Sequence, residues 1–96
     1  MTLDYLKSHI VEELEGALDY MEKAIEHKGT EWGAKFYRMS EMELEHVHCL
    51  TKMFNSTEKS DNVSDSSYIA MQKAILDAYT ASMGKYEALK KLYWKE

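Results

Sequence analysis

Residues 9–50 read HIVEELEGALDYMEKAIEHKGTEWGAKFYRMSEMELEHVHCL. Two helical patterns meet in this stretch at Lys28-Gly29-Thr30. Lys23, His27 and Lys28 gather where the helix dipole favours positive charge. Gly29 supplies a residue able to close the helix in the left-handed conformation, and Thr30 can cap the next helix with Glu31 in its first turn. So short a break predicts an antiparallel helical hairpin. Working outward, the first helix extends back to Leu3, with Thr2 as cap and Asp4 in the first turn. It is expected over about 3–28, and the second over about 31–54. Asn55 to Ser64 read NSTEKSDNVS, a polar loop. A third helix follows over about 66–94, starting at Asp65 or Ser66. Its apolar stripe is Ile69, Ile75, Leu76, Tyr79, Met83, Tyr86, Leu89 and Tyr93. The fold class is therefore all-α, a helical hairpin plus a third helix in one domain, 1–96.

Composition agrees. The 96 residues include no proline, 45% hydrophobic and 30% charged residues, an ordinary balance for a small domain. So short a chain buries a thin core, and association would help it. No apolar run approaches the ~20 residues that cross a bilayer, and no signal peptide precedes the first helix, so no membrane partner is expected. A net charge of −5 argues against nucleic acid, which needs a basic face to displace counterions. The single Cys49 cannot form an internal disulfide, which makes a cytoplasmic setting the expectation.

Ionisable side chains interrupt the apolar seams. Stepping along helix 1 by three and four residues gives Leu3, Leu6, Ile10, Glu13, Ala17, Tyr20 and Ala24, beside a second stripe of Val11, Leu14, Leu18, Met21 and Ile25. The same steps on helix 2 give Trp32, Phe36, Met39, Glu43, His46, Leu50 and Met53. Burying an unpaired carboxylate costs several kcal/mol or forces it to take a proton. In a hairpin turning at Gly29, Glu13 lies level with Glu45, so Glu43 and His46 flank it. Glu-x-x-His puts both side chains on one helical face. One Glu opposite Glu-x-x-His is the ligand arrangement of carboxylate di-metal bundles. A core histidine satisfied by a carboxylate is the alternative; one imidazole cannot neutralise two acids, which favours metal. The overlapping Glu45 and His48 fall on a polar face with Arg38, Glu41 and Lys52 and read as solvated surface. His9 and His27 read as peripheral, Trp32 and Trp94 as packing residues, and Cys49 as a small buried hydrophobe. Gly16, one turn from Glu13, either lets helices approach or is merely tolerated.

A di-iron site of this class takes four carboxylates and two histidines. One hairpin carries half, and helix 3 has no His; its acids Asp77 and Glu87 share a polar face with Lys73 and Thr80. The site is therefore expected to form between two chains in a homodimer or higher even-numbered oligomer, paired as a four-helix bundle.

The segments EELEGALDY (Glu12 to Tyr20) and EMELEHVHCL (Glu41 to Leu50) resemble the ligand motifs of the ferritin-like superfamily, and are most similar to those of the encapsulated ferritins. These are half-ferritins that dimerise to build a ferroxidase centre. The resemblance implies Glu13 as a terminal ligand, Glu43 as the bridging carboxylate and His46 as the nitrogen ligand. It implies Tyr20 as a tyrosine near the metals, and Glu12 and Glu15 as acids at the metal entrance. It further implies two Fe ions per dimer, with Mn as an alternative, and oxidation of Fe(II) for iron handling or detoxification. Peroxide reduction or manganese catalase activity at the same site, or a non-enzymatic helical oligomer, are the other readings. An encapsulin shell is an implied partner, with residence inside a protein nanocompartment; the C-terminal KKLYWKE is not a recognisable targeting peptide.

Overall fold

The computed structural model describes residues 2–59 and 63–96. It contains α1 (Leu3–Glu26), α2 (Glu31–Ser56) and α3 (Asp65–Trp94). Each N-terminus is closed by a hydroxyl. Thr2 accepts from the backbone N–H of Tyr5, Thr30 from Gly33, and Ser64 from Ser67, each satisfying a donor that the helix leaves unpaired. Gly29 takes φ 87 at the hairpin turn, a value that favours glycine. The described bundle is elongated, 53 × 21 × 15 Å.

Two boundaries differ from the sequence reading. α1 ends at Glu26, with His27 as its cap. Lys28 lies in the turn, where its ammonium donates to the carbonyls of Leu92 and Lys95. It thus satisfies the C-terminal end of α3 rather than that of its own helix. α2 runs to Ser56 because Ser56 and Thr57 hydroxyls bond back to the carbonyls of Lys52 and Met53. Of the expected loop, residues 60–62 lie outside the described residues.

α1 is the central helix and packs on both α2 and α3. Its buried stripe is Leu3, Leu6, Ile10, Leu14, Ala17, Met21 and Ala24. The sequence placed Glu13 and Tyr20 at the centre of this seam; Leu14 and Met21 hold it instead. A helix drifts about 20° per heptad against a strict seven-residue repeat, so the stripe passes to the neighbouring positions and leaves Glu13 and Tyr20 half-buried on its flank. On α2 a shift of the same size runs along the whole helix. Gly33, Ser40, Val47 and Phe54 are buried, each one position beyond the expected seam. Trp32, Met39 and Met42 are exposed in consequence. Gly33 explains the rotation: a Cβ there would press into the backbone carbonyl of His27 and lie 3.2 Å from that of Ala24.

α3 covers one face of the hairpin. On α2 it meets Ser40 through Tyr86, Phe54 through stacked Tyr68, and Tyr37 through Tyr93 and Trp94. Ser40 donates to the Tyr37 carbonyl, so its single proton is used and Tyr86 donates to it in turn. Ile75 and Tyr86 are the buried residues of α3. Ile69 and Leu76, expected in its stripe, are exposed, because α3 rests on two helices and has no third neighbour among the described residues. Trp94 is also exposed, and it is held by a hydrogen bond to the Tyr37 hydroxyl. Exposed Trp32 lies beneath the Lys35 ammonium. The polar face of α3 is as expected, with Lys73 and Asp77 paired at 2.9 Å. No helix among the described residues is long and apolar enough to cross a membrane.

Candidate metal centre

The hairpin register brings Glu13 of α1 opposite Glu43 and His46 of α2. One ligand atom from each lies within 4.8 Å of the others. His46 Nδ1 is 3.4 Å from Glu13 Oε2 and 3.7 Å from Glu43 Oε1. The side chains differ in exposure: 15% for Glu13, 22% for Glu43 and 52% for His46. The imidazole expected on a core seam is therefore open to solvent in the single chain. Ser40 and Val47 take the core positions, and Glu43 and His46 occupy the strip turned away from α3.

Gly16 has a definite role here. A Cβ at this position would lie 2.7 Å from Glu43 Oε2. The missing side chain is the recess that receives the Glu43 carboxyl, which brings it against α1 and next to Glu13.

Two acids in one recess cannot both be charged at ordinary cost. Burial, then the hydrogen bond and negative charge of Glu13, pushes the Glu43 carboxyl up to about 7 from its ordinary 4.5. The Glu13 carboxyl is lowered, chiefly by the hydrogen bond from Glu43, against burial and with help from His46 and His9. The pair thus shares a proton that a cation would displace. Two hard carboxylate oxygens with one imidazole suit a divalent first-row metal, so the donor set fits the group that the sequence motifs imply.

Sequence reasoning missed His9. Its Nε2 lies 3.4 Å from Glu13 Oε1, and its Nδ1 lies 3.6 Å from Glu12 Oε2. The signal was present, because His9 precedes Glu13 by four residues and so shares its face. A second imidazole also removes one argument for metal, since two histidines can balance two acids.

The remaining candidates stand apart. Tyr20 stacks on Phe36 with ring centroids 6.3 Å apart; it is seven residues from Glu13, about 10 Å along the helix. Glu12 and Glu15 are both exposed, Glu12 Oε2 lying 3.6 Å from His9 Nδ1. Glu45 and His48 are exposed as expected, and His48 meets the edge of Tyr79 beside a separate groove of about 280 Å³ between α2 and α3. Cys49 is exposed rather than buried, because it lies two positions beyond Val47 on the solvent side of α2.

No family model, curated protein or solved structure matches the chain.

Proposed function

We propose that this chain is a carboxylate di-metal protein that oxidises Fe(II) at a site completed by a second copy of itself. The observation that carries this reading is the meeting of Glu13, Glu43 and His46 at the Gly16 recess. Two such groups related by a two-fold axis supply four carboxylates and two imidazoles, the full set for the class. Four carboxylates balance two Fe(II) ions without net charge. Met39 and Met42 stand one turn before Glu43 and His46 and are exposed. Pairing through this strip would cover them together with His46, and would form the four-helix bundle.

In this reading iron is the substrate. Two Fe(II) ions each lose one electron. Dioxygen gains the pair and two protons and leaves as hydrogen peroxide. Glu43 would give up its proton on iron entry and act as the bridging carboxylate, and Glu13 and His46 would serve as the terminal ligands. Carboxylate oxygens are hard donors and suit the ferric product. Peroxide reduction and manganese chemistry use the same donors, and turnover with Fe(II) against peroxide separates them. The test is to load Fe(II) without oxygen, admit air and follow the near-ultraviolet ferric absorbance. Saturable oxidation by the wild type and its loss in Glu43→Ala are expected. Equal oxidation by the variant would end the reading.

A second reading has its own observation. His9 and His46 both face Glu13, so the cluster can be a self-neutralised polar contact in a non-enzymatic helical oligomer. Elemental analysis of the purified protein distinguishes the two.

A further inference from the structure

The two oxygens of Glu13 face different imidazoles. Oε2 lies against His46 and Oε1 against His9, each at 3.4 Å. We propose that His9 Nε2 and Glu13 Oε1 form an outer position for a second divalent cation, contiguous with the Glu13–Glu43–His46 group and sharing the Glu13 carboxylate with it. This inference rests on the reading that the inner group binds cations.

Three observations carry it. The first is spacing. A separation of 3.4 Å is long for an N–H···O hydrogen bond, which prefers about 2.7–3.2 Å. It matches the edge of a tetrahedron built from metal–ligand bonds of about 2.1 Å, which is about 3.4 Å. The second is how the ring is held. Tyr5 stacks on His9 at 5.6 Å between centroids with 22° between planes. Glu12 stands at Nδ1 on the other side. The third is access. The His9 side chain is 36% exposed, so a hydrated ion reaches it from solvent. The nitrogen and carboxylate donors select Fe(II), Mn(II), Co(II) or Zn(II) over Mg(II) and Ca(II). With two protein donors against three, the outer position binds the weaker of the two ions.

The test is a titration of the full chain with Zn(II), which is diamagnetic, followed by calorimetry and by the NMR signals of the histidine rings, with His27 and His48 as internal controls. In the wild type, His46 signals shift in a first step and His9 signals in a second step at higher ion concentration. His9→Gln abolishes the second step and keeps the first, with the helical circular dichroism unchanged. If His9→Gln leaves both steps intact, or His9 signals stay in place at saturation while His46 responds, the outer position is wrong and the inner group stands. If no Zn(II) binds at all, the proposed function and this inference fall together.

Discussion

Replacing Gly16 by alanine separates the fold from the site. The new methyl would begin 2.7 Å from Glu43 Oε2, with the Cδ and Cγ atoms at 3.5 and 3.7 Å. Only the carboxyl oxygen is too close, and it ends a flexible side chain. Relaxing to an ordinary contact of about 3.5 Å moves that oxygen by roughly 0.8 Å and leaves the helix axes in place. Alanine is favoured over glycine in a helix interior by about 1 kcal/mol. The metal-free variant is therefore expected to be as stable as wild type or up to about 1 kcal/mol more so, a rise in Tm of about 4–8 °C at most for a chain of this size. Cation affinity moves the other way. A ligand shifted by this much costs about 10–100-fold, as for loss of a supporting contact. Thermal melts without metal and Co(II) calorimetry read the two effects on one sample. A variant less stable by more than about 1 kcal/mol would show that the helices part instead. Unchanged affinity would show that Glu43 is not a ligand.

The contrasting glycine change, Gly33→Ala, presses a methyl into the His27 and Ala24 carbonyls; backbone cannot yield as a side chain does, so denaturant melts should show a loss of about 1–3 kcal/mol. Tyr86→Phe removes the donor to Ser40, which stays bonded to Tyr37, and should cost about 1 kcal/mol by urea denaturation. In metal-free protein Glu43 titrates near 7 when folded against an ordinary 4.5. Its contribution is thus complete below the unfolded value and lost as pH rises through the folded one. The lowered Glu13 acts in the opposite sense at more acid pH. Urea midpoints should fall between about pH 5 and about pH 7.5, and Glu43→Gln should flatten that slope.

The helices were legible because their ends carry explicit chemistry: Thr2, Thr30 and Gly29 each do what their residue types favour, while Ser64, read as the end of the loop, caps α3. The pairing of Glu13 with Glu43 and His46 followed from counting outward from Gly29. What failed was rotation about the α2 axis. Trp32 and Met39 look like core residues, yet tight packing at Gly33 and the Ser40–Tyr86 bond turn a different strip inward. One set lies across the turn and the other between distant helices, and no local periodicity encodes either. Glu13 illustrates the same limit on α1, where a drift of one position moved it from seam centre to rim. The turn also redirected Lys28, whose positive charge suits a helix C-terminus; the end it serves belongs to α3.

The central claim is that cations join two copies of this chain at Glu13, Glu43 and His46. Native mass spectrometry of wild type and Glu43→Ala, loaded with Fe(II) without oxygen, tests it most directly. The account predicts a wild-type dimer holding two tightly bound irons, and a variant that loses both the metal and the pairing. An iron-free monomer, or a variant that retains as much iron as wild type, would contradict it.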